Sequence, residues 1–331
     1  MPPNVNDHDS TLLDTKKEEL PKLIAPQADD WKFKISYPTV VVFIYFHLSA
    51  IYGLYLCFTS AHWATMIHGL IFLEAGLIGI LAGAHRYWSH RSFKAKLPLQ
   101  IILIIFQSIG GQYTAYNWAK DHRNHHKHAD TDADPHNSTR GLFFSHIGWL
   151  LVQKHPEYKR RAARIDISDL KNDKLLTFQY KHGFAFIFTL AYFIPTLLPM
   201  LLWGETFVNA FHVNILRTIL SQNYTSLVNS FAHAYGKRPY DKNVRATDNM
   251  LCHTLTTGEG FHNYHHVFPW DYRSAELGTK FNTPAAFIDF FAWIGWAYDL
   301  KTAEYSVVAK RALRCGDGTF KERELKNEND F

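Results

Sequence analysis

Apolar residues in this chain come in long runs, not in the short alternations of a soluble core. Residues 39–59 and 63–84 form the first two, the second carrying His68 and Glu74. Residues 184–203 form a third, with Pro195 and Pro199 as candidate kinks. Residues 206–231 form a fourth and more polar run, holding His212, Asn214, Arg217, Ser221, Gln222 and Asn223. A helix of roughly 20 apolar residues crosses a ~30 Å hydrocarbon core, so the four runs predict four spans. Polar groups are costly in lipid, so those of the fourth run should face the bundle or a cavity. Residues 98–111 are apolar but short, which predicts an interfacial or buried helix.

Charge orients this pattern. Residues 85–183 hold sixteen Lys or Arg against eight Asp or Glu, whereas the short loops 60–62 and 204–205 hold no Lys or Arg. Basic loops stay on the cytosolic side. Both termini, residues 85–183 and residues 232–331 are therefore expected there. Residues 1–31 and 321–331 read as polar tails, the first without the apolar core of a secretory signal. The domain is expected to run over 32–320.

Composition adds two facts. The mean hydropathy of −0.19 resembles that of a soluble protein only because it averages over segregated runs. The chain of 331 residues has 20 histidines but only 3 cysteines, Cys57, Cys252 and Cys315, too scattered for a disulfide framework or a thiolate metal site. The net charge of +5 is modest, and no nucleic-acid partner is expected.

The histidines fall into four groups on the cytosolic side of this map: His85 with His90, His122-Arg123-Asn124-His125-His126, Asn229 with His233, and His262-Asn263-Tyr264-His265-His266. Residues three or four apart share a helix face, so each group can aim its rings at one point. His85 and His90 are five apart, a spacing a helix end can still bring together. The nine rings are enough to hold two metal ions with positions open for water or O2. Imidazole suits Fe, Zn, Cu and Ni alike. A zinc hydrolase uses about three protein ligands, so this number points instead to paired redox metals and O2, for which iron is the common choice. Asp121 and Asp134 are candidates to orient ring N–H groups. His68, His128, His136, His146, His155, His182 and His212 read as structural.

The text around these groups resembles the membrane acyl-CoA desaturases of the stearoyl-CoA desaturase family: Gly83-Ala84-His85-Arg86, Trp118-Ala119-Lys120-Asp121-His122-Arg123, Asp134-Pro135-His136-Asn137, Phe144-Ser145-His146-Ile147-Gly148-Trp149, Gly258-Glu259-Gly260-Phe261-His262 and Phe268-Pro269-Trp270-Asp271-Tyr272. It is nearest to insect delta-9 and delta-11 types and runs over about residues 30–320. The resemblance implies an all-α fold, a four-helix transmembrane bundle capped by a cytosolic helical domain with a di-iron centre. It implies two Fe2+ on His85, His90, His122, His125, His126, His233, His262, His265 and His266, with Asn229 reaching one iron through water. It implies a long-chain acyl-CoA in a bent tunnel shaped by Gln112, Trp118 and Thr225, with Lys120 and Lys154 near the CoA. Leu73 and Leu77 stand where the tunnel should end. Gln153, Ser226 and His128 depart from the family's usual Arg, large residue and aromatic.

The implied reaction is O2-dependent desaturation in the endoplasmic reticulum membrane. The chain carries no dinucleotide, flavin or haem motif of its own, so electrons are expected from cytochrome b5 and its NADH-dependent reductase. The same site could act as a conjugase, acetylenase or hydroxylase. A metal transporter would instead place its ligands mid-membrane in broken helices.

Overall fold

The computed structural model describes residues 32–276 and 281–320, so both polar tails lie outside the described residues. The chain divides into two units, residues 1–33 and 34–331. Its main helices are α1 (Tyr37–Thr59), α2 (Trp63–Ser89), α3 (Leu97–Ile109), α4 (Ala115–His128), α5 (Gly183–Trp203), α6 (Phe207–Ser230), α7 (His262–Val267) and α8 (Thr283–Trp293). Among the described residues strand is confined to Lys94–Ala95 paired antiparallel with Ala297–Tyr298 and isolated bridges. The expected helical class is borne out.

Among the described residues three helices, α1, α2 and α5, are long and apolar enough to cross a membrane. Their outward faces carry Val41, Ile44, Leu48, Ile51, Leu70, Ile71 and Leu201, all exposed on the protein. Such a surface is the one a bilayer, not water, solvates.

Helix α6 matches the fourth run in length, and its polar groups are turned inward as expected. Asn209, Asn214, Arg217, Thr218 and Ser221 are all buried. Arg217 satisfies backbone that proline releases. Pro195 has no N–H to donate to the carbonyl four residues earlier, that of Ala191. Helix α5 widens to π geometry over Phe188–Phe193, and the Arg217 guanidinium donates to Ala191 O at 2.6 Å. A second Arg217 nitrogen reaches Ile109 O, at the end of α3, at 2.6 Å. Helices α1 and α6 meet closely at Gly53, where an added β-carbon would lie 2.2 Å from His212 O. Ser49 Oγ stands 2.7 Å from His212 Nδ1 at the same crossing.

Helix α2 runs past the apolar run into π-helical geometry over Gly79–Ser89. Its glycine face presses on α3, where a β-carbon on Gly79 would sit 2.0 Å from the Gln107 nitrogen. Helix α3 is short, as expected, and buries Leu99, Leu103 and Ile104 in the main apolar cluster with Trp88, Phe93, Ile288 and Phe291. That cluster anchors the end of α2, α3 and α8 around the start of α4. The histidine-bearing segments stand on this base.

Candidate metal centre and acyl cavity

Four segments bring the nine histidines together in two groups: His85, His90, His122, His126 and His265 in one, His125, His233, His262 and His266 in the other. Within each group one ring nitrogen per residue lies within 4.8 Å of all the others. The local geometry explains each contribution. In the π stretch of α2, the His90 N–H donates to His85 O at 3.2 Å, an i to i+5 turn. That turn puts two histidines five apart on one face. Helix α4 starts at Thr114, whose hydroxyl accepts from the Asn117 N–H. Its last turns aim His122 and His126 at the first group and His125 at the second. Likewise α7 sends His265 to the first group and His262 and His266 to the second. His233 follows α6 in a 3-10 turn.

The rings approach through Nε2. His85–His265, His90–His122 and His126–His265 nitrogens are each 2.9 Å apart. In the other group His233–His262 and His262–His266 are 3.1 Å apart. Two nitrogens each about 2.0–2.1 Å from one ion stand about 3 Å apart, so these spacings fit ring pairs that share a metal. Protonation agrees. Burial, then mutual charge, pushes His122, His126, His262, His265 and His266 well below the ordinary imidazole range. They are neutral and ready to ligate.

Carboxylates lie against the far nitrogens of three rings, two in hydrogen bonds and the third, at His85, at ion-pair distance only. Asp134 Oδ2 is 2.9 Å from His125 Nδ1, as the sequence suggested. Asp130 Oδ2 is 3.1 Å from His233 Nδ1. Glu259 Oε2 is 3.3 Å from His85 Nδ1, while its other oxygen accepts from the buried Arg86 guanidinium at 2.5 Å. Burial favours the protonated acid at Glu259 and Asp134. The charges of Arg86 and His85 outweigh this at Glu259, and those of His125 and His136 do so at Asp134, holding each carboxyl at about 2.

Asp121 is a correction. It touches no histidine nitrogen and pairs instead with Lys154 Nζ and the Tyr158 hydroxyl. Sequence reasoning missed Asp130 and Glu259. Glu259 lies three residues before His262 but serves His85, a pairing across 174 positions that no local spacing signals. The histidines read as structural lie outside both groups. His146 bridges Asn223 and Ser230, His212 meets Ser49, and His136 lies against Asp134.

A cavity opens against His85, His122 and His262, walled by Leu81, Gln112, Trp118, Thr225 and Asn229. Gln112 Nε2 donates to Thr225 Oγ1 at 2.9 Å, closing one side, and Trp118 stacks on His122 at 4.9 Å. Leu77 and Leu73 are buried one and two turns behind Leu81 in one apolar cluster, backed by Trp118, Leu220 and Tyr224, and do not line the cavity. A second pocket holds Lys120 and Lys154 with Asn117 and Tyr158. The two share Tyr113, Asp121 and Trp149 as walls, so a ligand lying in the basic pocket borders the ring side.

Comparison with known proteins agrees with this chemistry. The sequence profile described as fatty acid desaturase matches residues 61–278. The acyl-CoA Delta(11) desaturase of Choristoneura rosaceana is 55% identical over 320 residues, covering 96% of this chain and 95% of the relative. That of Spodoptera littoralis is 53% identical over 311 residues, 94% and 92% of the two chains. The (11Z)-hexadec-11-enoyl-CoA conjugase of Bombyx mori is 54% identical over 324 residues, 97% and 98% of the two chains. The chain, with its paired histidine groups beside a cavity, belongs to the fatty acid desaturase family.

Proposed function

We propose that this protein is a membrane acyl-CoA desaturase that introduces a double bond into a long-chain fatty acyl-CoA, using O2 and electrons from cytochrome b5. The carrying observation is the juxtaposition of two histidine groups, His85/His90/His122/His126/His265 and His125/His233/His262/His266, with a cavity bordered by Trp118, Gln112 and Thr225.

In this reading the nine histidines would hold two Fe2+, and Asn229, on the cavity wall, would support one of them through water. When bound, iron supplies the O2 chemistry that breaks an unactivated C–H bond, which no side chain can do alone. The chain's own residues do the rest. Lys120 and Lys154 attract the phosphates of CoA. Gln112 and Thr225 set the bend and Trp118 forms the floor, holding one methylene pair beside the rings. Leu81, backed by Leu77 and Leu73, stops the chain end. Each turnover removes two hydrogens from the substrate. With two donor electrons and two protons from water, they reduce O2 to two waters. Helix α6 serves as the fourth span, with the histidine side and both termini in the cytosol, at the endoplasmic reticulum.

A second reading has a specific observation behind it. The 54% identity to a conjugase over 97% of this chain makes diene formation on a monoenoic acyl-CoA a reaction to assay alongside simple desaturation.

The test is expression in yeast lacking its own desaturase, then gas chromatography–mass spectrometry of derivatised fatty acids. A new monoene absent with His126→Ala supports the proposal and gives bond position and chain length. A conjugated diene from a fed monoene moves the protein to the second reading. A loaded, membrane-inserted protein that alters neither saturated nor monoenoic chains overturns both.

A further inference from the structure

Three of the four rings in the smaller group depend on one stretch of backbone, residues 237–248. His262 and His266 ride on α7, which is hung on this stretch. Asp248 Oδ1 accepts from the Asn263 and Tyr264 N–H groups at 2.8 and 3.1 Å. Asn263 is fully buried. Its Oδ1 accepts from the Tyr240 and Asp241 N–H groups at 2.9 and 3.1 Å, and its Nδ2 donates to Asp241 O and Ala246 O, each at 3.0 Å. An amide side chain offers two acceptor and two donor positions, and here all four are taken. The third ring, His233, follows Ala232, whose carbonyl accepts from the Thr247 N–H at 2.6 Å and from its hydroxyl at 2.9 Å. The group of five, by contrast, takes one ring, His265, from α7.

The same stretch is gripped by the C-terminal segment. From α9 (Tyr305–Cys315) the Arg311 guanidinium donates to Asp241 Oδ2 at 2.5 Å. The Lys242 N–H donates to Cys315 O at 2.9 Å. Asp317 and Arg238 exchange two bonds, Arg238 N–H to Asp317 Oδ2 at 2.6 Å and Asp317 N–H to Arg238 O at 3.1 Å. Gly316 packs so closely that an added β-carbon would lie 2.0 Å from Pro239 O. Tyr240, Tyr264, Val308 and Ala312 share one buried apolar cluster, which joins all three parts. We propose that residues 311–317 and Asn263 form a clamp that positions the four-ring group, so that metal affinity there, and far less in the five-ring group, depends on the C-terminal segment. The proposal rests on the reading that the nine rings hold two ions. Asp134 and Asp130 turn individual rings, whereas the clamp sets where the backbones that carry them stand. Ligand distances at a metal are held within about 0.2 Å. A small shift of α7 and Ala232 relative to α4 therefore disturbs three ligands of four in one group and one of five in the other.

The experiment uses the full chain in detergent, prepared without iron and titrated anaerobically with Fe2+ against a chromophoric chelator, so the readout does not depend on turnover. The unaltered chain is expected to bind two ions. Asn263→Ala and Gly316→Val are each expected to bind one ion as before and the other at least about tenfold more weakly. Asp317→Ala serves as a milder variant should these impair folding, with a smaller loss in the same step. Asp317→Asn is expected to restore that step, because its side-chain oxygen still accepts from Arg238. Arg314→Ala, an exposed side chain on the same helix, is expected to bind both ions normally. A merely structural clamp would lower Tm and weaken both ions alike. Equal weakening of both steps in the Asn263 and Gly316 variants overturns the proposal, as does a second step unaltered in Asn263→Ala, Gly316→Val and Asp317→Ala. If those results come from a chain whose unaltered form binds two ions and makes monoene in yeast, the desaturase reading survives. An unaltered chain that binds fewer than two ions and makes no product overturns that reading as well.

Discussion

The two histidine groups are built on different supports. The group of five draws on α2, α4 and α7, and its carboxylate, Glu259, is shared with a fully buried arginine, Arg86. Arg86 also donates to Asn282 Oδ1 at 3.1 Å, tying this group to the start of α8. The group of four has one ring fewer and two carboxylates, Asp134 on His125 and Asp130 on His233. Both acids come from the loop after α4, where Asp130 also accepts from Ser138 Oγ at 2.5 Å. One group is therefore braced by a long-range buried ion pair and the other by a single local loop. The five-ring group also has an edge at the surface, through His90, whereas His125, His233 and His262 of the other group are buried. The lesson is that similar ligand chemistry can be oriented by opposite means, and the two means should fail differently.

The largest effects should come from the rings themselves. His126→Ala in one group and His266→Ala in the other should each cut product formation more than about 100-fold, since ligand loss disables the shared site. Metal analysis of the purified variants should show each losing iron. Full iron content in either variant would dissolve the division into two groups.

Changing the supports should separate the groups. Glu259→Gln leaves Arg86 buried without its charge partner, which costs about 3–5 kcal/mol. Asp134→Asn removes one charge-assisted bond from a local loop, about 1–3 kcal/mol. Thermal unfolding in detergent should show the larger fall in Tm for Glu259→Gln, and both should lose about 10–100-fold in metal affinity. Equal Tm losses would mean that the ion pair braces nothing beyond His85.

Acid should act on both supports through the same sign. Glu259 and Asp134 have folded values of about 2, below the ordinary range for an exposed carboxyl of about 4. A depressed folded value contributes stability that is fully present above the unfolded value and lost as pH falls through the folded one. These two acids should therefore leave Tm unchanged between pH 7 and 5 and begin to lower it below about pH 4. The Glu259→Gln variant should show a shallower fall over that window.

The smallest change in product amount is expected behind Leu81, where the proposed acyl cavity would end. Leu77→Ala opens space behind Leu81 in the buried cluster. Core truncation of this kind costs about 2–5 kcal/mol of stability where the site cannot collapse. Retained activity with a product profile moved to longer chains is the expected outcome on fatty acid analysis. An unchanged profile would assign the chain stop to another wall.

The gathering of the rings was legible because the histidines repeat at helical spacing. His122, His125 and His126, like His262, His265 and His266, share faces by chain geometry alone. The π turn that joins His85 to His90 was less legible, since an interval of five is irregular for an α-helix. The carboxylates were legible only where the fold kept them local. Asp134 is nine residues from His125 and was recognised, whereas Asp121, adjacent to His122, points away to Lys154 and Tyr158. Neighbours in sequence on a helix point about 100° apart, so adjacency to a ligand predicts little about contact.

The sequence by itself determined the apolar runs, the face on which each histidine box presents its rings, and the inward placement of the polar residues of α6. These follow from local periodicity and from the cost of exposing polar groups to lipid. Tertiary structure alone decided that nine rings divide five and four, that Glu259 serves His85, and that His90 borders a depression of its own beside Trp270. Those contacts join residues far apart in the chain, and their geometry exists only once packing has set the distances between helices.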